Sequence, residues 1–444
     1  MTANGSTGAA SPVEMAGVVE RLRTITRRHS ARFEHSIPLI ASENLLSPYA
    51  KEMLISDLHS RYAEGLPGER YYEGNEDVDE IENECTALAR RLFRCRFADV
   101  RAISGTVANI AVLKALAEYG MPVGTARLSE GAHISSASFG AFGIRGVKPV
   151  HYAWDANRMT LDVDKTRQIL LAERPKLCLF GLSLFLFPLP VRELAPTMQE
   201  IGALGWFDGA HVLGLIAGGV FQDPLHEGCQ VLTASTHKTL PGPQHGILLG
   251  ETEDPEVLKR LTSAVFPGVT SNHHLHAMAA LAVSLAEHLA FGQAYARQTV
   301  ANARALAQAL HERGFDVLAP ELGFTASHTL AVRVTREGGG ADVARRLADA
   351  GIISNKNLLP GDTSSKNPQG IRLGTPEVTR VGMREKEMVR IAELFDDLLH
   401  RGHDRDRVKA DVAEFKRRYT TVQYCFGAGE AAYRYYDLVG HPPP

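Results

Sequence analysis

The chain lacks the paired cysteines that build a disulfide framework or a zinc site. Its 444 residues include five cysteines, and none of them belongs to a CxxC motif. Scattered cysteines fit a reducing compartment, so we expect free thiols and no structural metal. The five are Cys85, Cys95, Cys178, Cys229 and Cys425.

Long hydrophobic runs are also missing. No stretch of the sequence approaches the roughly 20 consecutive apolar residues that a membrane-spanning helix needs. Residues 1–20 lack the basic start followed by an apolar run that is typical of a secretory signal peptide. We therefore expect a cytoplasmic protein that does not contact a membrane.

The sequence has no excess of positive charge. Lys and Arg total 48 against 51 for Asp and Glu, which gives a formal net charge of -3. A nucleic-acid-binding surface needs a basic field, and this composition does not supply one. Small molecules are the expected partners.

What the sequence does contain, between about residues 80 and 290, is an alternation of helical stretches with short apolar runs. This alternation predicts an α/β fold with a mostly parallel sheet covered by helices on both faces. The predicted strands are VRAISG (100–105), PKLCLFGLSLF (175–185), LGWFDG (204–209), QVLTAST (230–236) and HGILLG (245–250).

A long helical stretch begins at Ala277 and stops at Gly314, and a second alternation of shorter segments follows it. Glycine just after a helical pattern is a common helix end. We predict three units: an N-terminal arm and helix at 1–45, a large domain at 46–295 and a smaller α/β C-terminal domain at 296–444.

The strongest local signal is STHKTLPGPQHG (235–246), which directly follows an apolar run. Lys238 then lies at the carboxyl end of a strand, where an α/β sheet opens its ligand crevice. A desolvated lysine there can form a Schiff base with a carbonyl cofactor. The alternative is an ordinary solvated loop lysine.

A second signal, WFDGAHVLGL (206–215), places Asp208 at the end of another apolar run, with His211 one turn on. A buried carboxylate facing a pyridine nitrogen keeps that nitrogen protonated, so that the ring can act as an electron sink. The alternative is that Asp208 caps a helix and His211 is a core histidine.

Two further segments fit a phosphorylated ring. Ser104, Gly105 and Thr106 lie between a predicted strand and a helical stretch, where free backbone N–H groups can hold a phosphate. His133, in LSEGAHISS (128–136), could stack on a pyridine ring. Each of these segments is a weak motif by itself.

Together these residues resemble the serine hydroxymethyltransferase family of fold-type I pyridoxal-phosphate (PLP) enzymes. The resemblance extends from about residue 35 to about residue 400. Its most specific blocks are LIASEN (39–44), RYAEGLPGERYYEGNEDVD (61–79), DGAHVLGLIAGGVFQDPL (208–225), THKTLPGP (236–243), SAVFPG (263–268), NKN (355–357) and GIRLGTPEVTR (370–380).

The resemblance implies a PLP site in the large domain. Lys238 would carry the cofactor as a Schiff base, Asp208 would pair with the ring nitrogen and His133 would stack on the ring. His211 would lie near the phenolic oxygen of the cofactor and the substrate. The other residues implied to contact the cofactor, most of them near its phosphate, are Ser104, Gly105, Thr106, Thr236 and His237.

The resemblance also implies an amino-acid site. Arg372 would clamp the substrate α-carboxylate, a task that suits the bidentate guanidinium. Ser42 and Tyr72 would help to hold the amino acid. Leu128 and Asn357 would contact a folate.

Glu64 matches the family's proton-transfer carboxyl group, which reaches in from a neighbouring subunit together with Tyr62 and Tyr71. The implied assembly is a homodimer with shared active sites, either alone or paired into a tetramer. A carboxyl group in this role would move the proton on the β-hydroxyl of the substrate.

The implied activity is interconversion of a β-hydroxy amino acid, serine or α-methylserine, with glycine or alanine. The one-carbon unit would pass to or from tetrahydrofolate. Two alternatives stay open: a folate-independent threonine transaldolase or aldolase that passes a glycyl unit to another aldehyde, and a catalytically silent paralogue kept for its structure.

Four departures from the family pattern argue against the ordinary member of the family, and Gln244, SNHH (271–274) and GFTASH (323–328) are features that favour the transaldolase alternative. Gln244 and His245 stand where the family has arginine and glycine, and GVTSNHH (268–274) replaces a glycine-rich loop. Leu186 replaces a polar group beside the cofactor, which predicts a locally more apolar pocket, and Leu358 replaces a small polar residue.

Overall fold

The computed structural model describes residues 11–362 and 367–440. Its helices, in chain order, are α1 (Pro12–Glu34), α2 (Pro48–Leu54), α3 (Glu76–Phe93), α4 (Gly105–Leu116), α5 (Ala141–Arg145), α6 (Val163–Glu173), α7 (Val191–Ile201), α8 (Leu213–Ala217), α9 (Pro224–Glu227), α10 (Pro255–Val265), α11 (Leu275–Glu312), α12 (Gly340–Asp349), α13 (Pro376–Arg380), α14 (Glu385–Leu399) and α15 (Arg405–Lys416). Short 3₁₀ turns cover Asp57–Ser60, Leu128–Glu130, Ile134–Ser136 and Pro320–Leu322.

The strands of the described residues are short and belong to five sheets. In chain order they are β1 (Ile37–Pro38), β2 (Gly65–Leu66), β3 (Glu69–Arg70), β4 (Phe97–Asp99), β5 (Pro122–Thr125), β6 (Lys148–His151), β7 (Trp154–Asp155), β8 (Thr160–Leu161), β9 (Leu177–Phe180), β10 (Leu204–Asp208), β11 (Val231–Ser235), β12 (Gly246–Gly250), β13 (Asp316–Val317), β14 (Thr329–Arg333), β15 (Ile352–Ile353), β16 (Asn355–Asn357) and β17 (Gly370–Gly374).

The central sheet has seven strands in the order β4-β12-β11-β10-β9-β5-β6. All neighbours from β11 to β6 pair in parallel, and β12 runs antiparallel to β11 and β4. Residues of β9 to β12 are almost entirely buried, as expected for a sheet covered on both faces. The prediction of an α/β fold with a mostly parallel sheet is confirmed.

One predicted strand is wrong. The segment VRAISG (100–105) is not a strand, because pairing in this part of the chain ends at Asp99 of β4. Beyond it, the backbone N–H and the guanidinium of Arg101 both donate hydrogen bonds to the Asp99 carboxylate. Ser104 then caps α4, with its hydroxyl accepting from Val107 N at 3.1 Å.

Helix α11 connects two hydrophobic cores. Its residues up to Val300 pack in the core around the central sheet, and those from Ala303 to Leu310 pack in the core of the C-terminal part. By length and composition alone α11 could cross a membrane, but 61% of its most apolar window is buried inside the protein. It is the core helix of a folded protein.

The C-terminal part is built on a four-stranded antiparallel sheet, β13-β14-β17-β16, with α12 and α14 packed in the same hydrophobic core. The N-terminal arm joins this part, since β1 pairs in parallel with β15. The domain boundaries at 45 and 295 stay predictions, and residues 1–10, 363–366 and 441–444 lie outside the described residues. All five cysteines are buried and free.

Candidate active site

A cavity of about 910 Å³ opens where the carboxyl edge of the central sheet meets the C-terminal part. A smaller cavity, of about 60 Å³, adjoins it through shared wall residues that include His133, His211 and Lys238. The structure therefore brings most of the predicted site residues together. They are Ser42, Leu128, His133, His211, His237, Lys238, Asn357 and Arg372 on the large cavity, with Gly105, Thr106 and Asp208 on the small one.

Lys238 is only 8% exposed and lies on the loop that follows β11. Asn44 Nδ2 donates to its backbone carbonyl at 2.6 Å, which fixes the loop against the N-terminal segment. Burial lowers the pKa of the Lys238 amine to about 8, with Asp208 opposing the shift and Arg372 adding to it. A buried amine with a lowered pKa is the form that can attack a carbonyl carbon.

Asp208 ends β10, next to β11 in the sheet, so its carboxylate reaches the same edge as Lys238. Asn109 Nδ2 donates to Asp208 Oδ2 at 2.8 Å, and the backbone N–H of Ala210 donates to Oδ1 at 3.0 Å. Asn109 is itself held by Thr233, whose hydroxyl donates to the side-chain amide oxygen of Asn109 at 2.6 Å. The carboxylate is thus held in one orientation beside the cavity.

His133 belongs to the same network. Its Nδ1 lies 2.9 Å from Ser135 Oγ, and the Asn109 amide donates to that hydroxyl at 3.3 Å. Burial lowers the pKa of His133, and the Asp208 charge opposes this effect. A neutral, oriented imidazole on the cavity wall has the shape needed to stack on a flat ring.

The N-terminus of α4 forms one end of the small cavity. Gly105 packs so tightly on β11 that a Cβ atom would lie 2.5 Å from Ser235 Oγ. Gly105 and Thr106 line the cavity at the positive end of a 12-residue helix, where backbone N–H groups favour an anion. Thr236 lies elsewhere: it is fully buried and its hydroxyl donates to Pro243 O at 2.7 Å.

Arg372, on β17, brings the C-terminal part into the site. Its Nη1 donates to Ser183 O at 2.7 Å, whereas its buried Nε has no hydrogen-bond partner within residues 11–362 and 367–440. Burial lowers the pKa of Arg372 to about 10, so the guanidinium stays charged near neutral pH. A buried cation with an unused donor on a cavity wall is suited to bind a carboxylate.

His211 stacks on His328, with ring centroids 5.7 Å apart and an interplanar angle of 22°. Burial lowers the pKa of both rings, that of His328 to about 3 and that of His211 well below its ordinary value. His211 is therefore a neutral ring that faces the cavity near Lys238.

The structure of one chain does not bring Glu64, Tyr62 and Tyr72 into this cavity. Tyr62 and Tyr72 line a separate surface depression, with their rings 5.6 Å apart, and Tyr72 is 47% exposed. Glu64 lies half-buried on the strand-turn segment next to them. Their predicted roles stay predictions.

The residues that depart from the family pattern do not all lie where the sequence suggested. Gln244 and Leu358 line the large cavity, as their positions suggested. Leu186 does not: the expectation that it lies beside the cofactor is wrong, because it is 1% exposed and packs with Met159 and Leu359 in a small apolar cluster. Leu184 lines the cavity in its place.

Sequence reasoning missed several polar residues of the site. Asn109 and Ser135 connect Asp208 to His133, and Ser183 and Ser235 line the small cavity. Ser183 and Ser235 lie near the carboxyl ends of predicted strands, so their positions at the sheet edge were a usable signal. The Asn109 contact depends on how α4 packs on the sheet, which no local pattern indicates.

The residues present fit pyridoxal phosphate. Four buried polar atoms of the cavity walls lack a hydrogen-bond partner in the described part of the chain: Ser183 Oγ, His211 Nδ1, His237 Nδ1 and Arg372 Nε. Buried polar groups without partners are rare, and a polar ligand would satisfy them. A buried amine, a fixed carboxylate and a helix N-terminus match the carbonyl, the ring nitrogen and the phosphate of this cofactor.

An α/β sheet of this order with such a site defines the class of fold-type I PLP enzymes. The profile of the family described as serine hydroxymethyltransferase matches residues 16–395. The serine hydroxymethyltransferase of Thermoplasma acidophilum is 52% identical over 422 residues, which cover 95% of this chain and 99% of that protein. That of Methanobrevibacter smithii is 47% identical over 416 residues, covering 93% and 97%. This chain belongs to the serine hydroxymethyltransferase family.

Proposed function

We propose that this protein is a PLP-dependent hydroxymethyltransferase that interconverts serine and glycine, with tetrahydrofolate as the one-carbon carrier. The observation that carries the proposal is the convergence of the Lys238 amine, the Asp208 carboxylate and the Arg372 guanidinium on two adjoining cavities. The family membership supports the same activity.

Bound PLP supplies an electron sink for the electron pair released when the Cα–Cβ bond of serine breaks. Lys238 would hold the cofactor through its amine. Asp208, fixed by Asn109, would keep a proton on the ring nitrogen, and His133, on the cavity wall, would stack on the ring.

Arg372 orients the amino acid. Its free Nε and its charge receive the α-carboxylate, while its Nη1 is anchored on Ser183 O. Fixing the carboxylate would limit how the substrate Cα is oriented in the cavity, and orientation of this kind lowers the barrier of a bond-breaking step. Ser42, also on the cavity wall, is placed to help hold the same substrate.

Glu64 moves the proton of the substrate β-hydroxyl in this proposal. When that proton leaves, the Cα–Cβ bond breaks and the hydroxymethyl carbon departs as formaldehyde or passes to the folate. Because Glu64, Tyr62 and Tyr72 do not line the cavity of their own chain, we propose that they act in the cavity of a second copy, in a homodimer.

Leu128 and Asn357 lie on the wall of the large cavity, away from the small one, and are proposed to contact the folate. Gln244, which lines the same cavity, is neutral and exposed. A cavity of about 910 Å³ has room for an amino acid and a second flat ligand. We also propose a cytoplasmic location, which the five buried free thiols support.

The test supplies serine, α-methylserine and threonine as donors to the holoenzyme, each with and without tetrahydrofolate and with a panel of acceptor aldehydes. Glycine formation from serine that requires tetrahydrofolate supports the proposal. Folate-independent exchange, with acetaldehyde released from threonine, would replace it with the transaldolase reaction, and no turnover of any donor would indicate a silent paralogue.

A further inference from the structure

Hydrogen bonds hold the backbone of the residues on both sides of Glu64. Ala63 N donates to Asn272 Oδ1 at 2.9 Å, and Asn272 Nδ2 donates to Arg61 O at 3.1 Å. A single amide side chain therefore bridges the backbone on both sides of Tyr62. Asn272 belongs to the loop 268–274, more than 200 residues further along the chain.

Arg70 holds the other side of Glu64. Its Nη1 donates to the carbonyls of Ala63 at 2.8 Å and Gly65 at 2.9 Å, the residues before and after Glu64. The carbonyl of Glu64 itself accepts from Tyr71 N at 3.0 Å, at the open end of the hairpin formed by β2 and β3. Four backbone groups of residues 63–65 are thus engaged.

Arg70 is in turn fixed by α3. Its side chain is 4% exposed and forms ion pairs of 2.7 Å with both Asp79 and Glu82, which lie one turn apart on that helix. His273 lies in the same loop as Asn272, and its Nε2 is 3.3 Å from the Glu82 carboxylate. Burial would raise the pKa of Glu82, but His273 and Arg70 outweigh it and lower that pKa, so Glu82 stays ionised.

In contrast to its backbone, the carboxylate of Glu64 makes no hydrogen bond or ion pair with any described residue. A buried pair such as Arg70 and Glu82 gives little net stability, because desolvation offsets the attraction, and its best-attested effect is a fixed geometry. The Glu64 carboxylate therefore has no partner among the described residues while its backbone is fixed, so it is placed to act on a group outside residues 61–82.

We propose that Asn272 is a positioning residue for Glu64, and that Arg70 and His273 complete its support. The loop residues that depart from the family pattern would then serve proton transfer by orientation, without touching the substrate. This inference rests on the proposed proton-transfer role of Glu64. A displacement of about 1 Å in a catalytic group can lower a rate by roughly 10²-fold.

The experiment measures two reactions of the holoenzyme. Cleavage of serine needs the β-hydroxyl proton to be moved. Exchange of a glycine α-proton in deuterated water needs the cofactor and Arg372 but has no β-hydroxyl. The kcat for serine cleavage divided by the kcat for glycine α-proton exchange therefore reports on Glu64. A general loss of folding or of cofactor lowers both reactions together and leaves this ratio unchanged.

The variants are Asn272→Ala, Asn272→Asp, Glu64→Gln and the Asn272→Ala/Glu64→Gln double variant. Glu69→Gln and Asn157→Ala serve as controls, since both residues are exposed and their side chains make no hydrogen bond in the described structure. Asn272→Asp keeps the acceptor for Ala63 N and loses the donor to Arg61 O, so a partial effect is expected.

Asn272→Ala is expected to lower the ratio by roughly 10- to 100-fold at unchanged cofactor absorbance and unchanged KM for serine. The double variant is expected to match Glu64→Gln, because the positioning residue has nothing left to position. If Glu64→Gln lowers the ratio but Asn272→Ala does not, or if the two effects multiply, the positioning inference is wrong. If Glu64→Gln leaves the ratio unchanged, the role of Glu64 and this inference both fail.

Discussion

The Asn109 amide donates a 2.8 Å hydrogen bond to the Asp208 carboxylate across 99 residues of sequence. Thr233 anchors the other end of Asn109 and also accepts from the indole N–H of Trp206 at 2.8 Å. This buried chain of donors and acceptors sets the orientation of Asp208 before any ligand arrives.

Asn109→Ala is expected to weaken cofactor binding while Lys238 stays in place. Without this contact the carboxylate must be oriented when the ligand binds, so part of the roughly 1.5–3 kcal/mol that a hydrogen bond to a charged group contributes is expected to appear as a rise of up to about tenfold in the Kd for PLP. Titration of the apoenzyme, followed by visible absorbance, measures this Kd. Asn157→Ala, on the surface, is the control, and an Asn109→Ala protein with an unchanged Kd would contradict the role assigned to this contact.

The rate of cofactor attachment to the apoenzyme is expected to rise with pH around 8, the pKa of the Lys238 amine. Only the neutral amine attacks a carbonyl carbon, so attachment is slow while Lys238 is protonated. Asp208 raises this pKa and Arg372 lowers it. Asp208→Asn should therefore move the midpoint of the pH–rate curve downward and Arg372→Leu should move it upward. A midpoint near the ordinary value of 10.5 would show that Lys238 is not buried.

Arg372→Lys is expected to raise KM for serine and glycine by roughly 10- to 100-fold, because lysine lacks the planar fork that receives a carboxylate. Cofactor absorbance should not change, since Arg372 acts on the substrate. Arg333→Lys is the matched control: Arg333 lies on the neighbouring strand β14 and pairs with Asp362 at 3.5 Å, outside the cavity. Equal effects of the two substitutions would remove Arg372 from the substrate site.

Glu377→Gln is expected to stabilise the protein more at alkaline than at acidic pH. Burial is the main cause that raises the pKa of Glu377 from 4.5 to about 7, and Tyr433 OH donates to its carboxylate at 2.9 Å. The folded chain keeps a proton that the unfolded chain has lost, so folding stability falls as pH rises from about 4.5 to about 7.

Thermal melts near pH 5 and near pH 8 measure this effect of Glu377. The Tm of Glu377→Gln minus that of the wild type should increase between the two conditions, whereas Glu80→Gln, at an exposed position, should show no such trend. A difference that is constant with pH would mean that Glu377 titrates alike in both states.

The placing of Lys238 and Asp208 at one edge of the sheet could be predicted, because Asp208 ends β10 and Lys238 lies on the loop that directly follows the neighbouring strand β11. Parallel strands present their carboxyl ends at one edge, and Asp208 pairs with Thr233, five residues before Lys238. The two buried strands followed by polar residues therefore indicated a ligand crevice at this edge, and the resemblance to the family supplied the identity of the cofactor. Arg372 and Asn357 came only from the resemblance, since no periodic pattern connects the C-terminal sheet to this edge.

Contacts that depend on how elements pack could not be predicted. The burial of Leu186 away from the cavity follows from the direction of one loop against Met159 and Leu359, which its apolar neighbours do not encode. The attachment of Asn272 to Ala63 joins two loops about 200 residues apart. The strand predicted at 100–105 failed because an apolar run also suits the turn that leads into a buried helix.

The most direct test of the central claim is to reduce the PLP-bound enzyme with borohydride and locate the cofactor by peptide mass spectrometry. Reduction converts a carbon–nitrogen double bond to the cofactor into a stable single bond. The account predicts that the added mass lies on Lys238 alone and is absent from a Lys238→Ala protein. The added mass on another lysine, or on none, would contradict it.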